Sequence, residues 1–514
     1  MLVHRLCSLS GLLLRPRLAH GPLLRANLTG RALHTCHSSQ HIAPSRRRFK
    51  DVRRAPRLVN CISGAAAVAT QPSAAAATTA ENVIQLLRAR GLIQDTTSDA
   101  LEKAAGAGAL AVYCGFDPTA ESLHLGNLLG IIVLTWFQRC GHRPVALLGG
   151  ATGRVGDPSG RSTERPVLSE EEIERNVQGI KRILEQLIAS GNGVGPAPLI
   201  LNNLDWFQGV GLLTFLRDVG KFARVGTMLS RDAVKSRMEL DNEGISYTEF
   251  TYQLLQGYDY VHLNREHGVR LQIGGSDQMG NIFTGLDLIR RMGSAAGCAS
   301  QDACFGLTFP LLTKADGTKM GKSAGGAIWL AADKLSPFKF YQYLLTNVGD
   351  EEVIMFLRML TFVPLEDIEA LERSVQEPGY KPNTAQRLLA AEVTSFVHGQ
   401  QGLDQALKAT EALAPGSNTK LDAETLEAVA ESAPSVELSR EEVLDKPLAE
   451  VMAAVKLQES RAAARRLIKG GGVRVNNVKV EAEQHVLKET DLIDGRLMLI
   501  AAGKKNKMLV RISS

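Results

Sequence analysis

The chain has 514 residues, 44% of them hydrophobic and 22% charged, and a formal charge of +5. That length and apolar content exclude a minimal or disordered chain and ask for two to four domains. The charge is uneven: residues 1–80 carry twelve Lys/Arg against one acid, Asp51, a net +11, which leaves −6 for residues 81–514.

Residues 1–80 are rich in Arg, Ser and Ala, the composition of an organelle transit peptide followed by a linker. Arg-rich and Ser/Ala-rich signals overlap, so the expected destination is the mitochondrion and/or the chloroplast, in the matrix or stroma. A basic nucleic-acid-binding arm is the alternative, and the low-complexity tract 64–80 favours a processing linker instead. The apolar run 11–14 is cut by Arg15, Pro16 and Arg17, and no other segment is long enough for a span, so no membrane partner is expected. Beyond this leader, Cys114, Cys140, Cys298 and Cys304 form no CxxC pair. Neither a zinc site nor a disulfide framework is expected, and metal-free or magnesium-dependent chemistry fits better.

From residue 81 the text becomes globular, with an amphipathic helix pattern over 81–93. Residues 109–114 and 144–149 are short apolar runs bounded by Gly and Pro, each readable as a buried parallel strand, with a buried helix between them over 125–141. Strand, helix, strand is a right-handed unit of a doubly wound, Rossmann-like parallel sheet. The pattern continues through a helix over 170–190, a strand over 198–201, a helix-rich 210–256 and a strand over 269–274. Ligands in such a sheet sit beyond the carboxyl ends of the strands, so YCGFD, GGATGRVGDPSGR, LNNLDW and QIGGSDQ are the segments to watch. The domains expected are a parallel-sheet domain over 81–335, an α-helical domain and linker over 336–435, with 414–435 as the linker, and a small α+β module over 445–514. Residues 456–514 alone carry a net +7.

Two segments carry chemistry. His124 and Asn127, three apart at the start of a helix, share one face beside free backbone N–H groups suited to a phosphate, and Gly126 between them lets a nucleotide approach. Alone, the stretch also fits a capped helix with a chance histidine. Lys319-Met-Gly-Lys-Ser323 offers two ammonium groups around Gly321, able to fold over a triphosphate, although alone it also fits a solvated turn.

Together, HLGN and KMGKS resemble the HIGH and KMSKS signatures of class I aminoacyl-tRNA synthetases. YCGFDPTAESLHLGN, GGATGRVGDPSGR, FLRDVGK, ISYTEFTYQLLQGYDY, LQIGGSDQMGN and LTKADGTKMGKS are similar, in order, to blocks of bacterial-type tyrosyl-tRNA synthetase. The resemblance implies activation of L-tyrosine by ATP with Mg2+, release of pyrophosphate, transfer of tyrosine to tRNA(Tyr), and a homodimer; no protein-bound metal or prosthetic group is expected. It implies that Tyr113 and Asp259 bond the substrate phenol, and that Asp157, Tyr252 and Gln256 hold its ammonium with Gln278 nearby. It places Asp117, Thr119, His124, Asn127, Gly274, Gly275 and Asp277 on the ATP side, with Arg161 and Arg165 on pyrophosphate and Lys319, Lys322 and Ser323 in a mobile phosphate loop.

Tyr252, Gln256 and Asp259 stand at i, i+4 and i+7, one face of one helix. Asp157 also fits a turn former, Tyr252 and Trp206 fit core aromatic packing, and Cys114 fits a buried small side chain. Two departures stand out: Asn127 replaces the last His of HIGH, with weaker or relocated contact expected there, and Gly321 sits at the centre of the loop.

At the C-terminal end, Arg461, Arg465 and Arg466 lie on an amphipathic helix followed by a Gly break and a Val-rich strand with an Asn-Asn turn, a cationic face suited to RNA phosphates. The segment resembles the small RNA-binding domain that this family shares with a ribosomal protein, and the same resemblance implies that 81–335 is the catalytic domain and the helical 336–435 an anticodon-binding domain. Residues 504–507 add a second basic cluster. Two other readings stay open: a tryptophanyl-tRNA synthetase, or a non-catalytic RNA-binding or intron-splicing protein on the same scaffold.

Overall fold

The computed structural model describes residues 82–513, apart from 162, 190–194, 240–243, 296–302, 314–316, 324–325, 415, 431–432 and 504–505. The leader, Cys298 and the Lys504–Lys505 pair therefore lie outside the described residues.

The domain expected over 81–335 is built on strands β1 (Asp95–Thr96), β2 (Ala111–Phe116), β3 (Arg143–Leu148), β4 (Leu199–Asn202), β5 (Val269–Gly275) and β6 (Phe305–Phe309). Their order is β1-β6-β5-β2-β3-β4. All neighbours are parallel except β1, which runs antiparallel to β6 at the edge. The doubly wound parallel sheet expected from the apolar runs is present, with one antiparallel edge strand too short to show a pattern. From β2 the chain winds to β3 and β4 on one side, then returns to β5 and β6 on the other. This puts a topological switch, and hence a ligand crevice, beyond the carboxyl ends of β2 and β5.

The Leu125–Arg139 helix is buried along nearly its whole length and belongs to one apolar cluster with β2, β5, β6 and the helices that follow. Those helices are Pro337–Asn347, Val353–Leu360, Leu365–Val375 and Thr384–Ala412, the last broken at Gly399, where φ is 71°. Buried Arg90 ties the two domains: its guanidinium donates to the carbonyls of Arg358 (3.1 Å), Thr361 (3.0 Å) and Val363 (2.6 Å) and lies 4.3 Å over the Trp136 ring. These carbonyls lie at and just beyond the end of the Val353–Leu360 helix, where a cation is favourable.

A short hairpin of β7 (Lys322–Ser323) and β8 (Gly326–Ala327) carries the KMGKS loop. The last sheet has strands β9 (Ser435–Leu438), β10 (Val473–Val475), β11 (Val478–Lys479), β12 (Leu497–Ala502) and β13 (Asn506–Ile512), in the order β11-β10-β12-β13-β9. Asn476 and Asn477 form the expected turn, with φ of 48° and 66°, the left-handed geometry a tight hairpin requires.

The linker expected over 414–435 is corrected. Ala423–Ala430 is a helix, and its Leu426 and Val429, with Leu421, are buried against Ala409, Ala412, Leu497, Leu499 and Leu509. Pro, Gly and Ser at the start of the segment hide a short amphipathic helix. The C-terminal sheet also begins earlier than residue 445, because β9 pairs with β13. Lys507 is docked: its Nζ donates to the carbonyls of Ala412 (3.1 Å) and Ala414 (3.4 Å), and Asn477 donates to Ala412 (3.2 Å), closing the end of the Thr384–Ala412 helix.

Candidate active site

At the floor of the crevice, Tyr113 of β2 is 1% exposed, and its Oη has no hydrogen-bond partner among the described residues. Asp259, 2% exposed on the Tyr247–His267 helix, holds the facing carboxylate. One oxygen accepts from Trp206 Nε1 (3.0 Å), the other from Asn203 Nδ2 (3.1 Å). Burial pushes the Asp259 carboxyl well above the usual carboxylate range, against these two donors, which favour its charge.

Asn203, fully buried just past β4, also accepts from the backbone N–H of Ala151 (2.7 Å) and donates to Thr152 (3.0 Å). Trp206 does more than fill core space: its ring stacks on His262 at 4.3 Å while its N–H fixes Asp259. Trp206→Phe keeps the ring and removes the N–H, so the tyrosine KM should rise about tenfold with little change in kcat. A kcat loss with unchanged KM would contradict this role.

The expected helix face is present: Tyr252, Gln256 and Asp259 lie on one helix and face the crevice network. Tyr252 donates to Asp117 Oδ2 (2.8 Å), and Thr152 donates to Asp117 Oδ1 (2.8 Å). Asp117, assigned to the ATP side, thus has both oxygens engaged at the amino-acid end. Gln256 donates to Gln278 Oε1 (3.2 Å), and Gln278 donates to Asp157 Oδ2 (2.7 Å). Asp157 Oδ1 accepts from the N–H of Ser159 (2.9 Å), a turn contact, so Asp157 is both turn former and crevice carboxylate. Gln256 Oε1 is buried without a partner among the described residues, an acceptor suited to an ammonium.

Burial, then the charge of Asp157, pushes the Asp117 carboxyl up to about 6. Below that pH the group is neutral and attracts an ammonium less, so the tyrosine KM should rise as pH falls from 7 to 5. A flat KM over that range would remove Asp117 from ammonium binding. Arg165 Nε donates to the Asp157 carbonyl (3.2 Å), and exposed Arg161 has its pKa lowered by partial burial and by the charge of Arg165.

The two signatures meet. His124 Nδ1 accepts from the N–H of Gly126 (3.1 Å), and Asn127 Oδ1 accepts from the N–H of His124 (3.1 Å). Asn127 therefore caps the helix reciprocally with His124. With Nδ1 accepting, the proton of a neutral His124 ring sits on Nε2, a donor for phosphate oxygen. The KMGKS segment is strapped on through Leu125 N–H to Ile328 O (2.8 Å), Ile328 N–H to Gly321 O (2.9 Å) and Met320 N–H to Leu312 O (2.8 Å). Gly321 has φ of 110°, and a Cβ there would lie 3.2 Å from the Gly126 nitrogen, so glycine suits the centre of this loop.

Lys319 and Asp277 converge beside Gly160: a Cβ on Gly160 would be 3.7 Å from Lys319 Nζ and 3.1 Å from Asp277 Oδ2. Burial raises the Asp277 pKa and the Lys319 charge opposes it. Gly274 and Gly275 have a local role besides any nucleotide contact, since a Cβ would meet Gln278 at 2.9 Å and Asp277 at 2.8 Å respectively. Thr119 is exposed, and its backbone N–H donates to the Asp117 carbonyl (2.9 Å). The side chains of Lys322 and Ser323 lie outside the described residues. Cys114 is buried against Gly130, its thiol pushed up to about 12 by burial, as expected of a packing residue.

The family model "tRNA synthetases class I (W and Y)" matches residues 106–414, and "Tyrosine--tRNA ligase SYY-like C-terminal domain" matches residues 425–510. The chain is 53% identical over 435 residues to the chloroplastic/mitochondrial tyrosine--tRNA ligase of Arabidopsis thaliana, covering 84% of each. The chain belongs to the class I tyrosyl-tRNA synthetase family. It is 50% identical to the tyrosine--tRNA ligase of Protochlamydia amoebophila, covering 84% of this chain and 99% of that one. Among solved structures, a C-terminally truncated Aspergillus nidulans mitochondrial tyrosyl-tRNA synthetase aligns with TM-score 0.57 and 34% identity, covering 63% of this chain and 92% of that one. In the sequence of this tyrosyl-tRNA synthetase the crevice face of the long helix and both signatures are legible, whereas Trp206 reads only as core packing and Asn203 and Thr152 carry no role. The only signal was their position, just beyond β4 for Asn203 and Trp206 and just beyond β3 for Thr152.

Proposed function

We infer that this chain is a tyrosine–tRNA ligase, activating L-tyrosine with ATP to tyrosyl-adenylate, releasing pyrophosphate, and passing tyrosine to the 3′ end of tRNA(Tyr) in organellar translation. The observation that carries the reading is the buried Tyr113 Oη, without a partner among the described residues, within electrostatic reach of an Asp259 carboxylate held by two N–H donors. Such a floor has a donor and an acceptor for a phenol and would leave both unmet by a phenyl ring. It also favours tyrosine over the tryptophan alternative, whose indole N–H can only donate.

Adenylation needs no nucleophilic side chain here, because the tyrosine carboxylate attacks the α-phosphate of ATP and pyrophosphate leaves. The protein aligns the two and stabilises the charge that develops. Tyr252, Gln256, Gln278, Asp117 and Asp157 surround the ammonium end. His124, at a helix start where N–H groups favour anions, and Lys319 serve the phosphates, with Lys322 and Ser323 completing the loop. Asp277 serves the ribose, with Gly274 and Gly275 keeping the backbone open there and Thr119 at the rim. Among the described residues no group of three or more His, Cys, Asp or Glu could hold a metal; on this reading Mg2+ comes with the ATP phosphates.

The homodimer reading is supported by exposed apolar side chains on the segment preceding the long helix and beside it: Leu212 at 70%, Leu213 at 80%, Val225 at 61%, Tyr247 at 71% and Phe283 at 41%. A transit peptide in residues 1–80 and a mitochondrial and/or chloroplast destination fit the leader composition and the printed name of the Arabidopsis relative. Among the described residues no helix is long and apolar enough to cross a membrane. Arg465 and Arg466 are exposed on the Arg461–Lys469 helix, while Arg461 is paired with Glu450 at 3.1 Å, so the first two are the stronger RNA contacts.

The test is ATP–pyrophosphate exchange by the full chain with tyrosine, phenylalanine and tryptophan, alongside tRNA charging. Tyrosine should dominate exchange, and replacing Arg465 and Arg466 by Ala should reduce charging alone. Exchange no greater with tyrosine than with the other two would end the ligase reading and return the RNA-binding alternative.

A further inference from the structure

A cavity of about 470 Å³ opens between the catalytic and helical domains and shares none of its lining with the tyrosine pocket. One wall is the Glu170–Leu184 helix and the π-helical turn that extends it, Glu185–Ala189; such turns are rare and concentrate where helices are adapted to a task. The opposite wall is the Thr384–Ala412 helix at its break beside Gly399. The two meet where Gln186 Nε2 donates to the Val397 carbonyl (2.9 Å), one residue before His398.

Three polar groups in this cavity have capacity left over. His398 Nε2 is buried without a partner among the described residues, its ring edge-on to Phe340 at 5.0 Å. Burial pulls the imidazole down to about 4, so it is neutral, with one N–H donor and one acceptor. Arg182 makes no ion pair within 4 Å among the described residues, although its charge helps, after that of Lys334 and Arg175, to hold the Glu121 carboxyl below its usual range. The nearby Glu121 carboxylate is already held by Lys334 (2.6 Å) and Arg175 (3.9 Å), and Asp333 at the rim is exposed with Lys334 as its cationic neighbour. Gln401 is exposed at the mouth. A guanidinium with no close ion pair among the described residues, an unmatched imidazole nitrogen and side-chain amides suit a compact anion with a polar body.

The remaining wall joins both signatures. Residues 121–123 lead directly into HLGN, and residues 330–334 follow the KMGKS hairpin. They are stitched by Leu330 N–H to Leu123 O (2.9 Å), Ala331 N–H to Ser122 Oγ (3.1 Å) and the Lys334–Glu121 pair. Gly179 presses on the same segment, where a Cβ would fall 2.0 Å from the Glu121 carbonyl oxygen. We propose that this cavity binds a small organic anion, its carboxylate or phosphate on Arg182 and its polar body on His398, Gln186 and Gln401, and that occupancy acts on HLGN and KMGKS through their shared wall.

The test is isothermal titration of the full chain with citrate and, separately, inorganic phosphate, which distinguish a carboxylate from a phosphate source. At least one probe should bind in the millimolar range or tighter. Arg182→Ala and Gln401→Glu, both surface changes outside the catalytic machinery, should each weaken binding about tenfold, the scale of one charge-assisted contact, and leave probe-free tyrosine exchange unchanged. Saturating probe should alter the exchange rate of the unmodified chain but not of the variants. No binding by either probe, or equal binding by all three proteins, would overturn the site. Binding that leaves exchange unaltered would overturn its link to the signatures. Loss of probe-free exchange in an Arg182→Ala protein that stays folded would also overturn it, placing Arg182 in the catalytic machinery.

Discussion

Asp259→Ala should lower kcat/KM for tyrosine in ATP–pyrophosphate exchange by about two to three orders of magnitude. A hydrogen bond from the substrate phenol to a buried carboxylate is worth about 1.5–3 kcal/mol, or roughly ten- to 150-fold. The substitution also strips the acceptor from Asn203 Nδ2 and Trp206 Nε1, and Asn203 is bonded as well to Ala151 and Thr152. Disorder in that cluster carries the loss toward the upper figure. Discrimination should fall further than rate: this family is the standard example of about 10⁵-fold rejection of phenylalanine, a property of the family and not a quantity obtained from this chain. Kinetics with both amino acids check the point, and an unchanged tyrosine-to-phenylalanine ratio would mean that Asp259 does not read the phenol.

Lys319→Ala should reduce kcat by about 10²–10³-fold and leave the tyrosine KM near its original value. The ammonium lies beside Asp277 and Gly160, and the proposed function gives it the phosphate charge to act on. Single-turnover formation of tyrosyl-adenylate separates the step from later release. A rise in tyrosine KM with intact kcat would move Lys319 out of the phosphate role.

The parts of this molecule legible in the sequence are those written within one element. That Tyr252, Gln256 and Asp259 share one face follows from helical spacing, their roles being what the family resemblance implies, and β2, β3 and β5 follow from apolar runs bounded by turn residues. What stayed hidden depends on partners far apart in the chain. Asn203 and Trp206 become meaningful only when β4 lies beside β3 and the long helix crosses behind them, 53 to 56 residues later. Asn127 is a different case: as a motif letter it departs from HIGH, and as a local structure it is a good capping residue for the His124 backbone. The linker over 414–435 misled because residues 414–418 have loop chemistry, whereas Leu421, Leu426 and Val429 find their apolar partners in a sheet 68 or more residues further on.

Lys507 and Asn477 clasp the last carbonyls of the Thr384–Ala412 helix, so the C-terminal module is oriented by that helix's screw. Each residue turns a helix by about 100° and advances it about 1.5 Å. Inserting one residue between Gly399 and Ala412 would swing the Arg465–Arg466 face through more than a quarter turn while the tyrosine crevice stayed as it was. The stretch after the break therefore works as a gauge, and its length in residues decides which side of the molecule the Arg465–Arg466 face turns to.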